Sequence, residues 1–224
     1  MDAKPKLLYF GVMGRVLPVR LALFDALGKD GWEDETITFE EFGAEKEKFN
    51  AGKASKLAPL GYLPVMTVGD ITITQTEAMA RWAGRLGPSK LYPTDPLEAF
   101  KVDEIISVTM ETLNKTPQDL DKETKKRLRE EFAKGLMARN FQYLEDKLAL
   151  AGPFILGSTL TLADVFLFGL SSMVESGDYD YVPPSFLDGY PKVTKHLATF
   201  RGSDLVKNYS AAFHEMAKKA GLCD

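Results

Sequence analysis

Tyr9 is the residue of this sequence best placed to do chemistry, because it lies at the end of a short apolar run that precedes a turn and a helix. A tyrosine phenol, with an ordinary pKa near 10, keeps its proton at neutral pH and donates a hydrogen bond. A hydrogen bond to a charged group contributes about 1.5–3 kcal/mol, so this donor could stabilise a bound anion. The helix N-terminus adds positive potential in the same direction. The alternative is a half-buried core aromatic.

A second polar group, Gln75-Thr76, opens a predicted helix. The unpaired N–H groups at a helix start, together with a hydroxyl, form a site for an anion. The alternative is that Thr76 is an ordinary N-cap, which uses the same hydrogen bonds without a ligand.

Composition excludes several classes of protein. The chain has 224 residues, 45% hydrophobic and 27% charged, which is typical of a globular protein of one large or two modest domains. The net charge of −4 argues against nucleic-acid binding. We find neither a membrane-spanning stretch nor a targeting pattern, so we expect a cytoplasmic protein. The single cysteine, Cys223, excludes an internal disulfide and a Cys-x-x-Cys redox pair.

Strand and helix patterns alternate in the first part of the chain and predict a βαβ-ββα domain over residues 1–86. A Gly-Asp turn at 69–70 joins two β-rich runs into a hairpin. This order implies a small mixed sheet with helices packed on it. The predicted strands cover 7–10, 36–39, 65–68 and 71–73, and the predicted helices cover 18–24 and 77–86.

Glycine and proline residues mark a linker over 87–96, and residues 97–224 predict an all-helical domain. Helical spacing of apolar residues continues over 102–113 and 128–148. Residues 162–174 are apolar nearly all round and predict a central buried helix, preceded by a capping box from Thr161 to Asp164. A last helix is predicted over 204–220.

Four motifs resemble those of the cytosolic glutathione S-transferases that use a tyrosine. The resemblance extends from about residue 5 to about residue 200 and is nearest to the sigma class, with mu, alpha and pi close behind. It implies a thioredoxin-like domain followed by a helical domain, glutathione as co-substrate, no metal and a homodimer. The motifs are Leu8-Tyr9-Phe10 with Gly14-Arg15, Gly61-Tyr62-Leu63-Pro64-Val65, Gln75-Thr76-Glu77-Ala78 with Arg81-Trp82, and Thr161-Leu162-Ala163-Asp164-Val165.

The resemblance implies catalytic roles for Tyr9 and Arg15. A thiol with a pKa of about 8.5 is mostly protonated at neutral pH, and lowering that pKa by ~2 units requires about 2.7 kcal/mol. One phenol hydrogen bond to the glutathione sulfur supplies most of this free energy. Arg15 is a second stabiliser of the thiolate or, equally, a solvated arginine. The expected electrophile pocket, whose members are otherwise core residues, contains Phe10, Val12, Met13, Met110 and Leu113.

The resemblance also implies the glutathione contacts. A cis peptide bond at Leu63-Pro64 would present the Leu63 backbone to the cysteinyl residue, whereas a trans proline would simply open an edge strand. Gln75 and Thr76 would hold the γ-glutamyl carboxylate. Glu111 of the partner subunit would face the glutamyl amino group, or else be a surface glutamate in a salt bridge.

The glycyl carboxylate requires a cation, and here the sequence departs from the family pattern. Phe42 stands where the family has a tryptophan, and Lys46 follows four residues later in a segment longer than in the sigma pattern. We expect Lys46 and Lys48 to share this role, with Lys53 and Lys56 as substitutes more often read as solvated charges. Tyr62 also replaces the commoner glutamine or asparagine.

The resemblance therefore implies a detoxifying transferase that conjugates glutathione to small apolar electrophiles. Two alternatives stay open. One is a non-catalytic structural or interaction protein on the same scaffold, because a fold does not settle a function. The other is a glutathione-dependent isomerase or peroxidase, which uses the same thiolate on another substrate.

Overall fold

The computed structural model describes residues 3–150, 152–219 and 222, so Cys223 lies outside the described residues. The chain forms two compact units. The first comprises Met1–Lys90 with Asn208–Asp224, and the second comprises Leu91–Lys207. The predicted domains of 1–86 and 97–224 differ from these units mainly in the C-terminal segment. In the described part of the chain no helix is long and apolar enough to cross a membrane.

The first unit contains a sheet with the strand order β2-β1-β3-β4. β1 pairs in parallel with β2, while the β1–β3 and β3–β4 pairs are antiparallel. This is the mixed sheet that the βαβ-ββα pattern predicts. Its strands and helices are β1 (Lys6–Phe10), α1 (Leu17–Leu27), β2 (Glu33–Ile37), α2 (Phe39–Asn50), β3 (Val65–Val68), β4 (Ile71–Thr74) and α3 (Thr76–Leu86).

α2 corrects the sequence interpretation, which placed a strand at 36–39 and no helix between it and residue 65. β2 ends at Ile37, and Thr38 caps a helix instead. The Thr38 hydroxyl accepts from the Glu41 N–H, and the Glu41 carboxylate accepts from the Thr38 N–H. This reciprocal pair is a capping box, which fixes the start of α2 although the helix has no fully buried residue.

The C-terminal segment joins the first unit through aromatic contacts. It forms two helices, α9 (Asp204–Ala212) and α10 (His214–Lys219), where a single helix over 204–220 was expected. The rings of Tyr209 and Phe213 pack against Phe24, and Phe213 also contacts Trp32. Residue 220 of the expected helix lies outside the described residues.

The second unit is helical, as predicted, and a single isolated β-bridge, between Phe154 and Gly157, is found among its described residues. A π-helical turn, Ala133–Met137, joins two helices where one continuous pattern was expected. The helices wholly in this unit are α4 (Pro96–Asn114), α5 (Lys122–Phe132), α6 (Ala138–Leu150), α7 (Leu162–Glu175) and α8 (Pro191–Arg201).

α7 forms the core of the second unit, and nearly all of its residues are buried. The predicted capping box at its start is confirmed. The Asp164 carboxylate accepts hydrogen bonds from the backbone N–H of Thr161 at 2.9 Å and of Ile155 at 2.7 Å. Nε2 of the buried His196 lies 3.0 Å from the same carboxylate. The Asp164 carboxylate is therefore satisfied by groups of its own unit, while Nδ1 of His196 has no hydrogen-bond partner in the described part of the chain.

Candidate functional site

Three of the predicted motifs meet at one end of the sheet because of the strand register. Leu8 of β1 pairs with Val65 of β3, so the residue after Leu8 and the residue before Val65, Tyr9 and Pro64, come to the same end. Val65 in turn pairs with Thr74 of β4, which brings Gln75 and the start of α3 to that end as well. β2 stops at Ile37, opposite the last residue of β1, so α2 also begins there.

The Tyr9 hydroxyl lies against the backbone of the loop that follows β1. A Cβ atom added at Gly14 would lie 3.2 Å from the Tyr9 Oη, and Gly14 has a positive φ of 43°, so this close approach favours glycine. The backbone N–H of Arg15 donates a hydrogen bond to the same oxygen. An oxygen that accepts from Arg15 still has its own proton to donate to a bound ligand.

Burial determines the protonation of Tyr9. The side chain is 8% exposed, and this desolvation raises the pKa of Tyr9 above its ordinary value of 10.0. The positive charges of Arg15 and Arg20 and the Arg15 N–H act in the opposite direction but do not reverse the shift. The phenol is therefore a proton donor at neutral pH. Arg15 itself is partly buried at the second position of a short 3₁₀ turn, Gly14–Val16.

Arg20 is a residue of this region that sequence reasoning missed. Its side chain is fully buried, and its guanidinium forms two hydrogen bonds with Asp34 of β2, at 2.9 and 3.1 Å. It also donates to the carbonyl oxygens of Phe10, at 3.1 Å, and Val12, at 2.5 Å. Arg20 thus fixes the Gly11–Met13 loop, which follows Phe10 at the end of β1. A charged residue in a predicted helix is normally taken to be solvent-exposed. Only its pairing with the distant Asp34 could have indicated that Arg20 is buried.

The Leu63-Pro64 peptide bond is cis, which confirms the expectation from the motif; Ala58-Pro59 is also cis and was not expected. Pro64 is buried and Leu63 is partly buried. Leu63 packs with Phe42 and Phe10 against the buried cluster of Leu8, Ile37 and Val65. Packing of Leu63 on this cluster therefore holds the short backbone segment that leads into β3.

The start of α3 is open. Gln75 has a positive φ of 74° and makes no side-chain hydrogen bond that caps the helix. A non-glycine residue in this region costs of order 1–3 kcal/mol and persists where its surroundings impose it, often at ligand sites. Thr76 is 2% exposed, and within the described ranges its hydroxyl has no hydrogen-bond partner. This helix start can therefore donate to an anion.

The structure separates the two lysines that were expected to act together. Lys46 of α2 donates from Nζ to the Gly61 carbonyl oxygen at 2.7 Å, two residues before Leu63. Lys48 instead forms an ion pair with Glu45 at 2.6 Å. This pair is the largest of the interactions that hold the pKa of Glu45 at about 2. Residues two apart on a helix point in different directions, so Lys46 alone reaches the Gly61–Pro64 segment.

The other predicted residues lie in two groups. Phe42 occupies the tryptophan position as an apolar anchor, its ring edge-on to Phe10 at 5.4 Å. The Phe10 ring also stacks on Phe39 at 4.5 Å, while Val12 is 51% exposed. Met13 is buried, with the Tyr209 hydroxyl 3.9 Å from its sulfur.

In the second unit, the Glu111 carboxylate on α4 accepts hydrogen bonds from Lys115 at 2.7 Å and Asn140 at 3.2 Å. The Lys115 pair is the larger cause of the lowered pKa of Glu111. The carboxylate predicted to face a partner subunit thus has two partners in its own unit. On the same helix Met110 is buried and Leu113 is partly buried.

Comparison with known proteins finds relatives over nearly the whole chain. The family described as "Glutathione S-transferase, C-terminal domain" matches residues 109–212. The class-mu 28 kDa glutathione S-transferase of Schistosoma japonicum is 30% identical over 204 residues, which cover 85% of this chain and 88% of the relative. Glutathione S-transferase P of Bos taurus is 26% identical over 213 residues, covering 94% and 93%.

A solved structure shares the fold. Rat hPGDS complexed with a quinoline superposes with a TM-score of 0.77 at 21% identity, covering 95% of this chain and 96% of that one. The predicted fold class, a thioredoxin-like βαβ-ββα domain followed by an all-helical domain, is confirmed.

Proposed function

Because the chain belongs to the glutathione S-transferase family, we propose that it binds glutathione at the end of its sheet and transfers the thiolate to small apolar electrophiles. The observation that carries this proposal is the meeting of three groups at that end: the Tyr9 hydroxyl, the cis Leu63-Pro64 segment and the open start of α3. Each group matches a different part of the tripeptide.

The tripeptide is assigned to these groups by their chemistry. The Leu63 N–H and C=O pair with the cysteinyl backbone as a short added strand. Gln75 and Thr76 hold the γ-glutamyl carboxylate, since α3 begins with unpaired donors. The Lys46 ammonium, beside Gly61, receives the glycyl carboxylate. No metal ion takes part in the proposed reaction.

Tyr9 donates its proton in a hydrogen bond to the cysteinyl sulfur. The thiol loses its proton to solvent, and the phenol stays neutral because burial raises its pKa. The thiolate then attacks the electrophilic carbon, forming the C–S bond as the leaving group departs with the bonding electrons. Arg15 adds positive charge near the Tyr9 oxygen, and Arg20 acts indirectly by fixing the Gly11–Met13 loop.

The resemblance also supports finer parts of the proposal. These are a tyrosine-type enzyme nearest to the sigma class, a homodimer, a cytoplasmic location and a role in detoxification. Phe10, Val12 and Met13 are proposed to face the electrophile in the first unit. Glu111 of the partner subunit would contact the glutamyl amino group only by exchanging its present partners, Lys115 and Asn140.

Two measurements test the proposal. The protein should be retained on glutathione-agarose and eluted by free glutathione, and it should conjugate glutathione to a chlorodinitrobenzene probe. Retention without turnover would point to a binding protein on the transferase scaffold. Turnover of isomerisation or hydroperoxide substrates, but not of the probe, would mean that the same glutathione thiolate serves a different reaction. Failure to bind glutathione would contradict the proposal.

A further inference from the structure

The Lys46 side chain is held by a set of groups that the family pattern does not predict. Its Nζ lies 4.4 Å from the centroid of the Tyr62 ring and 5.7 Å from that of the Phe49 ring. Both distances are within the roughly 6 Å at which a cation is attracted by an aromatic face. The Gly61 carbonyl, which accepts from Nζ at 2.7 Å, completes what we call the lysine cage: Phe49, Gly61 and Tyr62.

Gly61 allows the cage to close. It has a positive φ of 73°, and a Cβ atom added there would lie 2.5 Å from the Phe49 ring and 3.2 Å from the Lys46 Nζ. No side chain fits at that distance, so the backbone of this residue packs directly on the ring. α2 and the Gly61–Pro64 segment are therefore in contact at the lysine.

The charge of Lys46 is not neutralised by the cage. Lys48 pairs with Glu45 and Lys56 pairs with Glu35, whereas Lys46 has no carboxylate partner within the described residues. An ammonium group has three donors, and the cage uses one of them on Gly61. Two donors and a full positive charge are left for a ligand.

The register of the sheet fixes which end of a bound tripeptide faces the cage. Leu63 lies between two sites: Gln75, next to the Val65–Thr74 pair, is on one side, and the lysine cage is on the other. A tripeptide paired with Leu63 through its cysteinyl residue therefore has its γ-glutamyl end at α3 and its glycyl end beside Tyr62.

We propose that Tyr62 and Phe49 are positioning residues that hold the Lys46 ammonium ready for the glycyl carboxylate of glutathione. The inference rests on the proposed function and deepens it, since it assigns the selection of the glycyl residue to an aromatic cage. Phe42, at the tryptophan position, has no N–H to offer the carboxylate. A mobile lysine side chain loses conformational entropy when it binds a carboxylate. The cage already restricts Lys46 before the ligand arrives, so less entropy is lost on binding.

The test compares glutathione with γ-glutamylcysteine, which lacks the glycyl residue. KM and kcat for both thiols are measured with the chlorodinitrobenzene acceptor, and binding of both by calorimetry. The preference, defined as KM for γ-glutamylcysteine divided by KM for glutathione, reports the glycyl site alone. A general disturbance of the segment would raise both KM values together and leave the preference unchanged.

Lys46→Met should lower the preference about tenfold or more, as expected for loss of a charged hydrogen bond. Tyr62→Leu and Phe49→Leu should each lower it about twofold to fivefold, the strength of an exposed cation–π contact, with Tyr62 the larger. Tyr62→Phe keeps the ring and should retain the wild-type preference. kcat at saturation should stay within about twofold throughout, because the thiolate site is untouched. Lys6→Met is the matched control for loss of one exposed lysine of the first unit.

Each outcome either supports or refutes the role of the lysine cage. If Tyr62→Leu keeps the wild-type preference, or Tyr62→Phe loses as much as Tyr62→Leu, the aromatic faces do not position Lys46 and the cage is refuted. If Lys46→Met keeps the preference, the carboxylate lies elsewhere and the cage is refuted with it. Both results leave glutathione binding by the wild-type protein intact. Absence of that binding in the calorimeter would instead overturn the proposed function together with the cage.

Discussion

α7 and α3 each begin with a threonine near their first turn, and the polar groups at the two helix starts have different partners. At α7, Asp164 accepts hydrogen bonds from the N–H groups of Ile155 and Thr161 and contacts His196, all in the interior of the second unit. At α3, the side chain of the N-cap residue Gln75 makes no capping hydrogen bond, and no partner of the Thr76 hydroxyl is found in the described part of the chain.

The difference separates polar groups that are hydrogen-bonded within the protein from polar groups that are available to a ligand. A buried group whose hydrogen bonds are all made within the protein contributes to folding, and its loss leaves desolvated partners behind. A nearly buried hydroxyl beside unpaired helix donors has capacity to spare for an anion. The same contrast holds for lysines of the first unit, where Lys48 is paired with Glu45 and Lys46 has no carboxylate partner among the described residues.

The largest expected effect is at the closed helix start. Asp164→Ala should reduce the free energy of unfolding by about 3–5 kcal/mol, because two buried N–H groups and His196 lose their acceptor. Urea denaturation followed by circular dichroism measures this loss. Asp121→Ala is the matched control: it removes an exposed cap of α5 that accepts from the Thr124 N–H, and it should cost only about 1 kcal/mol. Equal losses of unfolding free energy in the two variants would show that the buried helix start of α7 is no more important for stability than an exposed cap.

At the start of α3, a substitution should weaken glutathione binding more than it lowers the free energy of unfolding. Thr76→Ala should raise KM for glutathione about tenfold to a hundredfold, the loss of a hydrogen bond to a charged group, while the free energy of unfolding falls by about 1 kcal/mol or less. Thr76→Ser keeps the hydroxyl and should bind nearly as the wild type does. A stability loss as large as that of Asp164→Ala, with KM unchanged, would make Thr76 a purely structural cap.

The smallest effect is expected at the paired lysine. Lys48→Met removes an ammonium whose side chain is 52% exposed and already bound to Glu45, so KM for glutathione should change less than about twofold. Steady-state kinetics beside Lys46→Met gives the comparison directly. A KM for Lys48→Met as high as that for Lys46→Met would restore the joint role expected from the sequence.

Much of the fold could be predicted, because buried elements carry periodic apolar residues. β1, the β3–β4 hairpin and α7 follow from such patterns. The errors fall where burial is slight: β2 has only Ile37 fully buried, and α2 has no fully buried residue, so neither has a clear period. The Thr38 and Glu41 capping box was the available signal for α2. The π-helical turn between α5 and α6 has no signature in apolar spacing.

The site was predictable only where residues lie close together in the sequence. The Leu63-Pro64 and Gln75-Thr76 motifs are local, and so is the position of Tyr9. Arg20 owes its burial to Asp34 on a neighbouring strand, which no local pattern reveals. Lys46 and Lys48 could not be distinguished while no helix was predicted for their segment, because residues two apart on a helix point in different directions.

The proposed reaction depends most on the buried Tyr9 phenol, which donates a hydrogen bond to the glutathione sulfur. Ultraviolet difference spectroscopy of bound thiolate across pH measures the thiol pKa in the wild type and in Tyr9→Phe. We expect the thiol pKa to be about 1–2 units higher in Tyr9→Phe, the equivalent of one hydrogen bond to a charged group, with glutathione affinity nearly unchanged. An identical thiol pKa in the two proteins would contradict it.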